Sequence, residues 1–399
     1  RFISRLSQGY IRLGTTEIDL YRLYMYNVRE KHRFGMGVYS NEKISRKMRF
    51  GGWFGWATGD REWKYGGSFK LYPFQNNFIR LHLNYENTLY ESGYNDLFLN
   101  PGKPIYDKPD QQLPPRYFYI RRLEYTERYQ ADVIFPSVRN VHHRLRVQRD
   151  AINPWYNYAY KGQSEYVLTD LTVDTRIGFG EEYIRTDRGL FLRGTKYPVV
   201  TLRYTRGQSG VLGGDFDYDK FEATVYQNIP IKGFGSINYL LAGGEYIGEL
   251  PLSRLHPFRS NGGSSLFSDP YTMNAMPYNQ FYANRFGTAS VNFNVENKGW
   301  PHPKWSPDPI IRYGFAIGQL STINESTDHT KDFDIDAPTK GYHEAGFEIG
   351  NLIPALEALS IIKPFNAFRV GAYYRFGPHA DTDPQENLVF KIGFDFVLD

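Results

Sequence analysis

The end of the chain alternates strictly over residues 388–399. Leu388, Phe390, Ile392, Phe394, Phe396 and Leu398 fall on one face of an extended backbone; Val389, Lys391, Gly393, Asp395, Val397 and Asp399 fall on the other. A period of two is the signature of a β-strand, here with one face wholly apolar and the other carrying charge. In a water-soluble barrel the charged face points out to solvent; in a membrane-spanning barrel it points into the lumen. This single strand leaves both readings open. The pattern recurs along the chain. Phe368, Val370, Ala372, Tyr374 and Phe376 oppose Arg369, Gly371, Tyr373, Arg375 and Gly377; Phe34, Met36 and Val38 oppose Arg33, Gly35 and Gly37; Ile311, Tyr313, Phe315 and Ile317 oppose Arg312, Gly314, Ala316 and Gly318. Many of these segments run about 9–14 residues, which suits a tilted transmembrane strand. Strands of soluble proteins are usually about 5–6 residues. Length therefore favours the membrane.

Composition agrees with that reading without requiring it. The 399 residues include Tyr 33, Phe 29 and Gly 38, with no cysteine and a net charge of +4. The rings suit aromatic girdles at two membrane interfaces, although a secreted sugar-binding β-sandwich is also rich in aromatics. Mean hydropathy is −0.54, as expected when only alternate residues meet lipid. No run reaches the roughly 18 apolar residues of a transmembrane helix. The missing cysteine excludes a disulfide scaffold and a thiolate metal site, and the small net charge argues against a nucleic-acid partner. The chain has no initiating Met and no signal peptide, so Arg1 is expected to follow processing or an upstream region.

The alternation predicts an all-β, transmembrane antiparallel β-barrel of about sixteen strands, with residues 1–399 forming a single barrel domain. The expected strands are 10–24, 33–41, 47–59, 63–73, 77–90, 120–134, 138–149, 164–180, 196–206, 216–229, 233–247, 281–296, 309–322, 340–350, 366–377 and 386–399. Closure would pair the first with the last. With the first strand starting from the periplasm, odd-numbered connections lie outside. The long stretches 91–119, 150–163, 248–280 and 323–339 fall there, while short turns near 73–76, 136–137 and 230–232 fall inside. Connections 181–195, 297–308 and 351–365 break this rule by being long. The last carries Leu352, Leu356 and Leu359 and reads as a small helix. Gly9, Gly14, Thr15 and Thr16 make the first strand poor in packing side chains, marking either a weak strand or a turn.

Motifs for chemistry are sparse. There is no zinc-binding His-Glu-x-x-His, no Gly-x-Ser-x-Gly elbow and no phosphate loop. His142 and His143 are adjacent and so point to opposite faces. Ser40 and His82 lie on separate strands with nothing to pair them. Asp215, Asp217 and Asp219 offer carboxylates to calcium but lack the full ligand pattern of an EF-hand loop, and also read as a solvated turn. No cofactor, metal or enzymatic activity is expected. The lumen arginines Arg312, Arg369 and Arg375 and the acids Glu344, Glu348 and Asp395 gather in the last strands. They either hold an inserted loop or balance one another within the lumen. The candidate insert is 256–280, containing Asn261-Gly262-Gly263-Ser264-Ser265; it is a plug or a surface loop.

Several short runs resemble a family of bacterial outer-membrane proteins whose full-length members carry an N-terminal carboxypeptidase-regulatory-like domain. They are Gly9-Tyr10-Ile11, Tyr26-Asn27-Val28-Arg29-Glu30-Lys31-His32-Arg33, Gly59-Asp60-Arg61-Glu62-Trp63-Lys64-Tyr65-Gly66, Tyr197-Pro198-Val199-Val200-Thr201-Leu202-Arg203-Tyr204-Thr205, Gly210-Val211-Leu212-Gly213-Gly214-Asp215 and Gly341-Tyr342-His343-Glu344-Ala345-Gly346. The resemblance implies a barrel similar in layout to the BamA/TamA superfamily, whose members insert or export other outer-membrane proteins. It further implies a bacterial outer-membrane location, lipid contact, and membrane-protein partners or clients. That superfamily places an Arg-Gly-aromatic motif on its long sixth external loop. Here the nearest match is Phe258-Arg259-Ser260, which lacks the glycine and the aromatic, so Arg259 is the candidate lumen-pointing arginine. The resulting expectations are an assembly or export barrel, an accessory barrel in a larger complex, or a passive channel.

Overall fold

The structure, a computed structural model, describes residues 9–74, 79–98, 120–138, 140–186, 189–262, 267–268, 271–295, 307–321, 329–350 and 368–394. Its wall is an antiparallel meander. The first wall strand, β1, is interrupted: Thr16–Asp19, a 3-10 turn Leu20–Arg22, then Tyr24–Asn27. The next seven are β2 Lys31–Ser40, β3 Met48–Ala57, β4 Trp63–Leu71, β5 Arg80–Glu91, β6 Leu123–Val138, β7 Val141–Pro154 and β8 Tyr166–Gly178. They are followed by β9 Val199–Gly207, β10 Tyr218–Ile231, β11 Gly235–Gly248, β12 Arg285–Val295, β13 Asp308–Gln319, β14 Tyr342–Gly350, β15 Phe368–Phe376 and β16 Leu388–Phe394. Each pairs antiparallel with the next, both halves of β1 lying along β2. Sixteen wall strands among the described residues match the count expected from the alternation.

The wall is inside out relative to a soluble protein. Phe34 is 56% exposed while its neighbour Arg33 is 2% exposed, and Phe390 is 69% exposed while Lys391 is 2% exposed. Leu171, Val173, Leu202 and Phe221 likewise face outward, while Asp170, Asp174, Arg203 and Glu222 face inward. An apolar belt over the whole exterior far exceeds the few hundred Å² that a soluble monomer leaves uncovered. Only lipid satisfies it, and backbone groups inside the wall are satisfied by the ladders. The fold is thus a transmembrane β-barrel with a charged lumen. Val173 sits in the middle of β8 on the lipid side, so Val173→Arg is expected to destabilise the bilayer-embedded barrel by about 2–4 kcal/mol. Urea titration in liposomes reads this; an unchanged midpoint would place β8 outside the hydrocarbon.

Three sequence expectations change. Residues 10–24 are not one strand. Gly14 takes a positive φ of 60°, turning the chain between an arm Tyr10–Leu13 and β1, with Leu13 opposite Thr16. The glycine marks a turn, as one of the two readings held. The Asp19 carboxylate then accepts the Tyr21 N–H at 3.0 Å and starts the 3-10 interruption. The long connection 181–195 is a two-stranded hairpin, Glu181–Thr186 with Gly189–Thr195. Its length satisfies its own backbone rather than forming a loose loop. Finally, no backbone pairing joins β1 to β16 among the described residues. The outer edge of the Thr16–Asp19 half of β1 is instead paired with the arm Tyr10–Leu13, which covers hydrogen-bonding groups that lipid cannot. The expected helix at 351–365 lies outside the described residues.

Candidate functional site

The site is the lumen together with the connections folded into it, and it is built from strand register. Direct cross-strand pairing sets Arg128 opposite Asp150 and Asp132 opposite Arg146. It also sets Asp174 opposite Arg144 on one side and Arg203 on the other. Opposite charges in directly facing positions attract, and here they meet in ion pairs: Arg128–Asp150 at 2.8 Å, Arg146–Asp132 at 2.7 Å, and Arg203–Asp174 and Arg144–Asp174 at 2.5 Å each. All of these side chains are buried. Away from water such charges persist only when paired and hydrogen-bonded.

Two connections insert their own charges into this lattice. Asp96 opens the 3-10 turn Asp96–Phe98 of the β5–β6 connection. Its carboxylate meets Arg203 at 2.7 Å, Arg146 at 3.0 Å and Arg144 at 3.1 Å. Burial alone would raise its pKa, but the three guanidinium charges outweigh burial and hold it well below the ordinary 3.8. Arg254 closes the turn Leu252–Arg254 of the β11–β12 connection. It reaches Asp150 at 2.8 Å and Asp170 at 2.9 Å, and its Nε donates to the Tyr218 hydroxyl at 3.1 Å. Burial opposes its charge, and Asp170, Tyr218 and Asp150 more than offset that opposition.

Apolar packing completes the cap. Leu97 and Phe98 from the β5–β6 connection, Tyr158 and Tyr160 from β7–β8, Phe216 from β9–β10, and Leu252 and Phe258 from β11–β12 share one buried cluster. Phe333 and Ile335 from β13–β14 pack against it. Short ladders reinforce it: Tyr158–Tyr160 of β7–β8 pairs with His329–Lys331 of β13–β14, and within β11–β12 His256–Pro257 pairs with Tyr282–Ala283. The Tyr158 hydroxyl accepts the Leu252 N–H at 2.7 Å. His256 stacks on Phe286 with centroids 3.5 Å apart. Burial, with Lys220 and Arg259 nearby, pushes its pKa well below 6.5, so the ring packs uncharged. The fifth, seventh, ninth, eleventh and thirteenth connections therefore meet at one end of the barrel and pack over it.

The residues expected to line the lumen divide among separate attachments rather than forming one cluster. Arg312 pairs with Glu348 at 2.8 Å, which is the balancing role. Glu344 has the other role: its two oxygens accept the N–H groups of Asn274 at 2.7 Å and Ala275 at 2.9 Å, gripping the inserted connection. Arg375 donates to Asn387 at 3.0 Å beside the β15–β16 connection, and Arg369 lies half-buried next to Gly350 and Gly393. Asp395 lies outside the described residues. Arg259 donates to the Phe98 carbonyl at 2.7 Å, tying two connections together. The arginine that anchors the connection to wall acids is Arg254, which sequence reasoning missed. Its signal was a cation among Leu250, Leu252, Leu255 and Phe258. The lattice on β6–β9 was also missed, although Arg144, Arg146, Gln148 and Asp150 alternate visibly.

The other candidates resolve locally. His142 is buried, while His143 faces outward and bonds Ser137 at 2.8 Å and Thr175 at 3.0 Å. Asp219 on β10 binds Arg206 on β9 at 2.6 Å, and Asp215 accepts the Val167 N–H of β8 at 2.6 Å, so these carboxylates tie the β9–β10 connection and its flanking strands together. Among the described residues, no group of three or more His, Cys, Asp or Glu is placed to hold a metal.

A family described as "Family of unknown function (DUF5686) C-terminal domain" matches residues 138–300. Among curated proteins nothing matches the chain. Among solved structures, BamA from Haemophilus ducreyi lacking POTRA domains 1-3 is 9% identical, with 96% of this chain and 71% of that chain covered and a TM-score of 0.54. CdiB from Escherichia coli is 10% identical, with 90% and 58% covered and a TM-score of 0.47. The outer membrane protein OprD from Pseudomonas aeruginosa is 10% identical, with 96% and 88% covered and a TM-score of 0.37. The chain spans little more than half of the CdiB chain. The likeness to BamA shows a shared barrel fold.

Proposed function

We propose that this chain is a bacterial outer-membrane barrel that assists the insertion, assembly or export of outer-membrane components at the seam between β1 and β16. The observation that carries this reading is the seam itself. Fifteen consecutive interfaces from β1 to β16 are hydrogen-bonded, while none joins the two end strands among the described residues. The arm Tyr10–Leu13 covers the Thr16–Asp19 half of the β1 edge; the rest of the seam is where an extended strand would add through backbone hydrogen bonds, as in β-strand addition. The barrel fold shared with BamA supports the same reading, as does the similarity in barrel layout that the sequence resemblance implies. The covered end of the lumen speaks against a passive channel. With that end outward, the cap faces the exterior and the short turns face the periplasm.

The test is the folding rate of an unfolded barrel protein into liposomes with and without this protein reconstituted. The chain has no cysteine, so one engineered pair joining β1 to β16 locks the seam reversibly. Acceleration that the disulfide abolishes and reductant restores is expected. Equal rates with and without the protein would sink the proposal.

A further inference from the structure

The outer edge of β16 is not empty: a piece of the β11–β12 connection sits on it. Phe267 forms a parallel β-bridge with Ile392, and the Ser268 N–H donates to the Ile392 carbonyl at 2.8 Å. Ile392 faces Val370 across the β15 ladder. In an antiparallel pair, each residue sends both backbone groups to the same side. The carbonyl taken by Ser268 is therefore one that β15 leaves free, and it belongs to the seam edge.

Neighbouring contacts make this a built arrangement. Lys391 is buried and donates to the Asn261 carbonyl at 2.8 Å. A Cβ placed on Gly393 would lie 2.7 Å from the Ser268 hydroxyl oxygen and 3.2 Å from the Arg369 Cβ, so a side chain there would crowd the crossing. Beyond the bridge, Glu344 holds the backbone of Asn274 and Ala275. The connection is thus tethered before and after the point at which it touches the edge.

Resting on the seam reading above, we propose that Phe267 and Ser268 are a resident placeholder on the β16 edge, and that its other occupant is an extended strand of an incoming barrel protein. The chemistry of the edge selects that partner. Among the described residues the bridge engages one residue of a strand that runs Leu388–Phe394, so a full strand gains more ladder bonds than this contact gives up. The outward side chains Leu388 and Phe390 are 43% and 69% exposed. They continue the lipid-facing alternation that a docking membrane strand would extend. The Lys391 and Glu344 tethers keep the displaced segment close enough to return.

The experiment uses the full chain in liposomes with Phe267→Cys and Ile392→Cys, its only cysteines. Mild oxidation is expected to join them in the resting barrel. Adding excess unfolded eight-stranded barrel protein before the oxidant is expected to lower the disulfide yield several-fold. Gly393→Ala, which crowds Ser268, is expected to lower the yield without any partner. Failure of the disulfide to form, or a yield indifferent to the unfolded barrel, overturns the placeholder. So does an oxidised protein that accelerates folding as well as the reduced one. If the reduced protein accelerates nothing, the assembly function falls, while displacement of the crosslink still judges the edge.

Discussion

Arg254→Met is expected to destabilise the capped barrel by roughly 3–5 kcal/mol, the usual cost of removing one partner from a buried ion pair. The loss falls unevenly. Asp150 keeps a bidentate bond from Arg128, at 2.8 and 3.0 Å. Asp170 keeps a hydrogen bond from the Tyr218 hydroxyl and the weaker attraction of Lys220, but no guanidinium among the described residues. Most of the penalty therefore falls on Asp170, and Arg254→Met/Asp170→Asn should recover much of it. The cap should also loosen, because Arg254 lies in the turn whose Leu252 N–H binds Tyr158. Two measurements check this: the urea midpoint of the reconstituted barrel and its conductance in a planar bilayer. A lower midpoint with new, flickering conductance is expected for the single variant, with both effects reduced in the double. A single variant that is silent and as stable as the parent would remove Arg254 from the role given to it.

Asp96→Asn should have a comparable effect, again roughly 3–5 kcal/mol, through a different imbalance. Arg144 and Arg203 retain Asp174, and Arg146 retains Asp132. Three guanidinium groups nevertheless converge where the carboxylate was, and the β5–β6 connection loses its charged anchor. The pH dependence separates the two proteins. The folded pKa of Asp96 is depressed below 3.8. Its contribution is therefore fully present above that ordinary value and is lost as pH falls through the lower folded value. The parent connection should stay docked at about pH 4, where free aspartates are half protonated. The variant should be undocked there and at neutral pH alike. Hydrogen exchange at residues 95–98 reads docking directly. Equal protection in the two proteins would show that the apolar contacts of Leu97 and Phe98 suffice without the charge.

Much of the wall was legible because a strand writes its period locally. Phe390 beside Lys391, Phe34 beside Arg33 and Ile311 beside Arg312 each show an apolar residue and a charge on opposite faces, and each pair separates in the structure as the alternation requires. The break in β1 was less legible. Gly14 signalled a turn, but the 3-10 interruption depends on Asp19 capping Tyr21, which alternation does not encode. The candidate lumen residues were drawn from the last strands, where Arg and Glu are conspicuous. The dense lattice on β6–β9 needs register: Asp174 becomes an anchor only when Arg144 and Arg203 are known to stand opposite it.

What the sequence determined by itself is the set of strands, their number and the partition of each into two faces. These follow from the two-residue repeat and from strand length, both of which are properties of the local backbone. Alternation reads the same from either side of a wall, so strand length alone favoured a charged lumen, and burial in the tertiary structure settled it. The fate of the long connections was decided there too. Asp96 and Arg254 are ordinary loop residues until the barrel brings Arg144, Arg146 and Arg203 around one and Asp150 and Asp170 around the other. Burial then makes those distant pairings strong enough to hold a loop in the lumen.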